Sequence, residues 1–532
     1  MATATAPRTQ RTPPIPDLRV RWPGWFTRLP PWARIGAVLF VLMAVSVFIR
    51  TRYLSGQFWM DEGLSTGISS HSLSAIPGVL RHDGSPPLYY MLLHVWMSVF
   101  GMTEAATHSL SLVCALLSIP VALWAGWSLF GERTGFMTAV LFAFSSWLTQ
   151  YSQETRMYSL MGLLGLLATA AFLHVFVFRR RKYLILFAIA LALMLYTHAW
   201  GIFFGVGSAI TVLILMRFSD EPRALLRDAL LAYLGAFVLF LPWLPNFIYQ
   251  ATHTAAPWDS SPRFGAPVQL ARDLLGGDRV AIPLLITAVI GFASLVGKAK
   301  RRSREATLLW ALIALPVATL ALAWIASQIT PAWVSRYFAP TLAAILLLAA
   351  WGMARAGIVG AVILVVTVIL LANPASFTPK YKSDMRDVAG EMAPLVHPSD
   401  LVIVAQPEQI ALNWYYLPGG LRYASTIGPV QDPRYMNWVD ALPRLRAANP
   451  AATLPPLIAS LRPGQQILFV RPLTEGAQSW EASWTQLVRR RAAQWGQILA
   501  SDPQLKPVAW APHTYRGACC VADSAILYTK VS

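Results

Sequence analysis

YLILFAIALALMLYTHAWGIFFGVGSAITVLILM, residues 183–216, runs for 34 positions without Asp, Glu, Lys or Arg. Basic clusters bound it on both sides: Arg179-Arg180-Arg181-Lys182 before, Arg217 through Arg227 after. A membrane span takes roughly 20 apolar residues, about 30 Å at ~1.5 Å per residue. Loops rich in Lys and Arg stay on the cytoplasmic side. One helix does not return to the side it left, so this run holds two spans, turning at Thr197-His198-Ala199-Trp200-Gly201.

Outward from that pair, apolar segments at 32–49, 107–130, 135–149, 157–178, 183–197, 199–216, 226–249, 280–297, 306–328, 337–354 and 357–373 predict about 11 spans. Residues 86–100 are also apolar, yet 15 helical residues reach only about 22 Å. With the N-terminus inside and 86–100 left uncounted, Arg133, Arg179 to Lys182, Arg217 to Arg227, Lys298 to Arg304 and Arg355 all fall in cytoplasmic loops. Counting 86–100 as a span moves every one of those clusters outside. It therefore reads as a helix lying in the outer interface. The outer side then receives loop 50–106, the turns 150–156 and 197–201, loop 250–279, segment 329–336 and everything after 373.

Composition agrees. The chain of 532 residues is 56% hydrophobic and 13% charged, about half the charged share of a soluble protein. Its formal charge of +18 comes mostly from Lys and Arg flanking apolar segments, which argues for topology rather than nucleic acid binding. Residues 1–31 read as a disordered basic cytoplasmic tail and not as a cleavable signal, because apolar sequence begins only near Ile35. After 373 the regime changes. Short strand-like runs, Leu401-Val402-Ile403-Val404 and Gln466-Ile467-Leu468-Phe469-Val470, alternate with polar helical stretches, which predicts a soluble extracytoplasmic α/β domain over 374–532. The three cysteines lack zinc spacing: Cys114 reads as packing, and adjacent Cys519 and Cys520 allow a vicinal disulfide.

Between residues 18 and 219 only Asp61, Glu62, Asp83, Glu104, Glu132 and Glu154 are acidic, and all except Glu132 fall on the outer side. Asp61-Glu62 open the long outer loop. A carboxylate there can take the proton from an attacking hydroxyl, or can be a solvated loop acid or helix cap. About twenty residues on comes Arg81-His82-Asp83-Gly84-Ser85-Pro86-Pro87-Leu88-Tyr89-Tyr90, whose prolines suit the first turn of the interfacial helix. Tyr151-Ser152-Gln153-Glu154-Thr155-Arg156-Met157-Tyr158 lies at the outer mouth of a span, suited to an anionic group or to interfacial anchoring. Arg336 in Ser335-Arg336-Tyr337 is placed to grip a lipid phosphate or to snorkel to headgroups.

These pieces, with Tyr196-Thr197-His198 and Leu241-Pro242-Trp243-Leu244-Pro245, resemble the GT-C glycosyltransferases, above all the bacterial dolichyl-phosphate-mannose-protein mannosyltransferase-like and aminoarabinose-transferase-like branch. Each is weak alone; their order over residues 35–373 makes the set specific. The resemblance implies an α-helical polytopic membrane protein with a C-terminal α/β domain, in the bacterial cytoplasmic membrane, with its active site outside. It implies transfer of a hexosyl or pentosyl group from a polyprenyl-phosphate donor to a hydroxyl on a lipid, glycan or protein, with inversion. Asp61 is then the general base and Glu62 orients it or the acceptor. Arg156, Arg336, Tyr337, Glu154, Tyr158 and His198 bind the donor and its phosphate; His82, Asp83 and Tyr89 support the acceptor or the loop. The family commonly places His before the paired prolines, where Ser85 stands here, with His82 as a substitute nearby. No cofactor is expected and no residues are assigned to a metal, while a divalent metal stays open: the mannosyltransferase-like branch does without one and related oligosaccharyltransferases require one. The rival class, a transporter or flippase of polyprenyl-linked glycans, predicts charged residues at mid-span and inverted repeats; neither is visible.

Overall fold

A computed structural model describes residues 28–254, 257–296, 304–372, 382–472, 482–514 and 522–531. Most of the N-terminal tail, and Cys519 with Cys520, lie outside the described residues. The uncharged run folds as two helices, Leu184–Thr197 and Gly201–Met216, reversing at His198–Trp200. All the other predicted spans are helical too. Among the described residues, five helices are long and apolar enough to cross a membrane, or six with one bent pair counted as a span; most of the rest are shorter. The chain is a multi-pass membrane protein.

Two predicted spans are not single helices. Segment 226–249 bends by 78° between Pro222–Phe240 and Leu244–His253. Pro242, at the bend, has no N–H to carry a helix through, and Pro245 suits the first turn of the next one. Segment 135–149 breaks at Ser145 into Glu132–Phe144 and Ser146–Tyr151. The carbonyls freed there are taken by Arg50, fully buried at the end of the first helix, Pro31–Arg50. Its Nη2 donates to Phe142 O at 2.7 Å and Ala143 O at 3.3 Å, and its Nη1 to Ala115 O at 3.1 Å. A buried cation is tolerated because its two terminal nitrogens meet backbone carbonyls, two of them at a helix end.

Loop 50–106 is largely helical: Met60–Ser69, Ile76–Asp83 and Leu88–Phe100. The last covers the segment expected to lie in the outer interface. Tyr89, Tyr90, Leu93 and Met97 are buried, while Leu92, Val95, Val99 and Phe100 face outward. That apolar outer face suits a bilayer boundary.

The C-terminal unit is a six-stranded sheet of order β3-β2-β1-β4-β6-β5. β1 (Leu401–Val404) pairs in parallel with β2 (Arg422–Ser425) and β4 (Gln466–Pro472). β3 (Gly428–Val430), β6 (Asp523–Lys530) and β5 (Leu505–Ala511) are antiparallel to their neighbours. Apolar residues cover both faces of β1, as expected for a central parallel strand. Met385–Met392 and Ile410–Tyr416 pack on one face of the sheet, Pro450–Ala459 and Ser483–Ser501 on the other.

This unit sits directly on helix Met60–Ser69. A Cβ on Gly63 would lie 2.7 Å from Leu412 Cα, and one on Gly67 would overlap the Arg434 carbonyl. Only glycine lets the two backbones approach so closely. Trp438 N donates to His82 O at 2.9 Å, which adds a backbone tie.

Candidate active site

Helix Met60–Ser69 begins after an extended Trp59, and Glu62 reaches back to accept the Trp59 N–H at 3.2 Å. Both acids thus stand in a first helical turn, where the helix dipole favours negative charge. Successive helical residues point about 100° apart, and here that separates two roles.

Glu62 turns inward and is fully buried. His108 Nε2 is 2.6 Å from Oε1, Thr155 N donates to Oε1 at 2.8 Å, and Lys382 Nζ reaches both oxygens at 2.9 and 3.0 Å. Burial alone would raise its pKa, but Lys382 and His108 outweigh burial and hold it at about 2. Glu62 therefore does not face the cavity where an acceptor would stand. Its contacts join loop 50–106 to the turn before Tyr158 and to the start of the C-terminal unit.

Asp61 turns the other way, onto a cavity of about 990 Å³. Its Oδ2 is 3.4 Å from Arg336 Nη2 and 3.8 Å from Arg156 Nε. The guanidiniums are held from behind. Arg336 Nε donates to Tyr158 OH at 2.9 Å. Arg156 Nη1 donates to Ser65 Oγ at 3.1 Å and to Tyr90 OH at 3.3 Å. Arg336 comes from the short 3-10 turn Ser335–Phe338, and Arg156 from the turn just before helix Tyr158–Phe172.

Of the other residues singled out by sequence, Asp83, His198 and Tyr337 line the cavity. Asp83 is pushed up to about 6 by burial, against the pull of Ser85 and Arg156. His198 is held down to about 3 by burial and by Arg156 and Arg336. Tyr158 backs Arg336 from outside the lining. Glu154 is buried behind the cavity wall; burial pushes it up to about 7 although Lys382 pulls the other way. His82 and Tyr89 do not join the site. The His82 ring bonds back to Gly78 O at 3.0 Å, and Tyr89 OH pairs with Ser111 Oγ at 3.2 Å. Ser85 itself lines the cavity where the family commonly has His.

The sequence reading missed Tyr90, Lys382 and the roof. The C-terminal unit closes the cavity with Gln406, Glu408, Trp438 and Arg489. At the opposite side Ile202, Phe203, Phe247 and Ile329 give it an apolar wall. Lys382 carried no motif; Tyr90 was legible only as the neighbour of Tyr89. Among the described residues no three His, Cys, Asp or Glu side chains converge to hold a metal ion.

The cavity places one carboxylate between two guanidiniums, with an apolar wall on one side and a polar roof on the other. Residues 84–249 match the family described as dolichyl-phosphate-mannose-protein mannosyltransferase. Curated proteins give no match. The fold is shared with ArnT from Cupriavidus metallidurans. The apo structure superposes with a TM-score of 0.64 at 13% identity, covering 93% of this chain and 98% of that one. The undecaprenyl phosphate-bound structure gives 0.60 at 15%, covering 94% and 99%. The archaeal oligosaccharyltransferase AglB from Archaeoglobus fulgidus, in complex with an inhibitory peptide and a dolichol-phosphate, gives 0.55 at 12%, covering 94% and 75%. The fold expected from the motifs, GT-C-like with a C-terminal sheet domain, is therefore the one found.

Proposed function

We propose that this chain is an integral-membrane glycosyltransferase that moves a hexosyl or pentosyl group from a polyprenyl-phosphate donor to an acceptor hydroxyl. The observation that carries the reading is Asp61 between Arg156 and Arg336 on a cavity with one apolar wall. The ArnT relative binds undecaprenyl phosphate and the AglB relative a dolichol-phosphate, which supports a lipid-linked donor.

The acceptor oxygen attacks the anomeric carbon while the bond from that carbon to the phosphate oxygen breaks. The hydroxyl proton passes to Asp61. The electron pair stays on the lipid phosphate, whose charge Arg156 and Arg336 meet with donors fixed in advance. A single displacement without a protein nucleophile inverts the anomeric centre. The apolar wall takes the start of the lipid tail, and the roof leaves the acceptor to approach from the C-terminal unit. The acceptor is a lipid, glycan or protein.

The C-terminal unit and the cavity lie on the extracytoplasmic side of the bacterial cytoplasmic membrane, as the basic clusters require. Cysteines introduced near Ser260 and Asp400 should then react with an impermeant reagent in intact cells, and one at position 302 should not; the reverse pattern removes this orientation. The transport alternative gains nothing from the charges found within helices: Arg50 ends its helix, and Asp228 stands in the second turn of Pro222–Phe240.

The activity is tested by analysing lipid-linked sugars in a deletion strain, then supplying the accumulated donor to purified protein with membranes as acceptor. Release of polyprenyl phosphate with transfer of label is expected. A deletion strain that accumulates no polyprenyl-phosphate sugar, together with purified protein that turns none over, overturns the reading.

A further inference from the structure

His198 ends helix Leu184–Thr197 and lines the cavity beside Arg156 and Arg336. Its Nδ1 receives the backbone N–H of Trp200 at 3.2 Å. A backbone N–H can only donate, so Nδ1 carries no proton while this bond stands. The ring is then neutral, and its one N–H is at Nε2. The groups around it act in the same direction. The ring lies 4.6 Å from that of Tyr337 and 6.2 Å from that of Tyr158, centroid to centroid. Burial first, then the two guanidiniums, disfavours an imidazolium. Asp61, on the same cavity, already faces both arginines. Among the described residues no protein group meets Nε2.

We propose that His198 is a neutral hydrogen-bond donor, through Nε2–H, to a phosphate oxygen of the lipid-linked donor, and that it neither gives up nor takes a proton during transfer. This rests on the polyprenyl-phosphate reading above. The chemistry asks for a donor of this kind. The bond that breaks leaves its electron pair on a phosphate, which departs as an anion at neutral pH, so no acid has to protonate it. The one proton released comes from the acceptor hydroxyl and goes to Asp61. An imidazolium here would add a third cation beside Arg156 and Arg336 and would draw on the charge of Asp61, weakening the base. A neutral N–H adds direction without either effect.

Three measurements test this. With ¹⁵N-histidine-labelled protein in nanodiscs, the signal lost in His198→Gln should show a pyridine-type Nδ1 and a pyrrole-type Nε2, unchanged between about pH 5 and 8. Undecaprenyl phosphate binding should fall about tenfold in His198→Ala and in His198→Phe, the latter keeping ring packing. His198→Gln, whose terminal N–H is near Nε2, should stay within about threefold of wild type and keep the wild-type pH profile of turnover. A His198 ring that titrates in that window, with a pH limb that vanishes in the Gln variant, overturns the proposal in favour of proton transfer. Unchanged lipid-phosphate binding in the Ala and Phe variants overturns the contact. If Arg156→Ala and Arg336→Ala also bind normally, the phosphate site itself is wrong, whereas the NMR result tests the tautomer separately.

Discussion

Among the described residues, Asp61 and Asp228 each stand among arginines, and the two are built differently. Asp228 is fully buried. Arg181 Nε donates to its Oδ1 at 2.9 Å, Arg179 Nη2 is 3.3 Å from Oδ2, and Arg227 Nε is 3.6 Å from Oδ1. There the acid is enclosed and the arginines reach it from the more exposed surroundings. Around Asp61 the acid is not enclosed in this way: it is about as exposed as Arg336 and more so than Arg156. The guanidiniums are the better held groups, backed by Tyr158, Tyr90 and Ser65, and the carboxylate opens onto free volume at longer distances. The first cluster ties helices together. The second holds two guanidiniums against one carboxylate that opens onto the cavity, donors that a phosphate could share.

The sharpest way to break this contrast is at Asp61. Asp61→Asn keeps size and polarity but takes up no proton at neutral pH, so transfer by purified protein should fall by about 10²–10⁴, with donor binding retained. Near-normal turnover would move the base elsewhere, with Asp83 the next carboxylate on the cavity.

Lys382 comes next. Removing one partner of a buried ion pair costs about 3–5 kcal/mol. Lys382→Met should therefore lower the unfolding temperature and, by leaving Glu62 unpaired, reduce activity too. The same pair sets an acid limit. Glu62 is held at about 2 in the folded protein against an ordinary value of 4.5. A depressed acid stabilises the fold above its unfolded pKa, and that contribution is lost as pH falls from about 4.5 to about 2. Thermal scans should show this loss in wild type and a shallower one in Glu62→Gln, which starts lower.

Arg156→Ala and Arg336→Ala should each weaken donor binding about ten- to a hundredfold, the cost of a charge-assisted hydrogen bond of roughly 1.5–3 kcal/mol. Lys should rescue poorly, lacking the planar fork. Asp228→Asn should have the smallest effect on turnover, within about twofold, while still lowering thermal stability. A larger catalytic loss at Asp228 than at Arg336 would erase the distinction between the clusters.

The helices, that of Leu88–Phe100 included, were legible because charge and hydropathy act locally along the chain. Asp61, Arg156, Arg336 and His198 were legible through motif order, and the structure brings all four to one cavity. What escaped depends on tertiary docking. Glu62 follows Asp61 directly, but only the path of the helix decides that one faces the cavity and the other the interior. Lys382 meets Glu62 across 320 residues, a pairing no local pattern encodes. The Leu241-Pro242-Trp243-Leu244-Pro245 string carried the signal for the 78° bend, since both prolines interrupt helical bonding. The break at Ser145 carried a weaker signal, a serine whose Oγ caps the next helix by accepting the Leu148 N–H at 3.3 Å, and it also relies on Arg50 from another helix.

The glycine seam at Gly63 and Gly67 bears on how proteins of this fold can be recombined. The helix bearing Asp61 is shaped to one partner surface, at Leu412 and Arg434. A C-terminal unit transplanted from a relative would meet that helix with different side chains at the seam. The C-terminal unit is thus not a cassette that can be exchanged alone. A working hybrid would have to carry residues 50–106 along with the unit that rests on them.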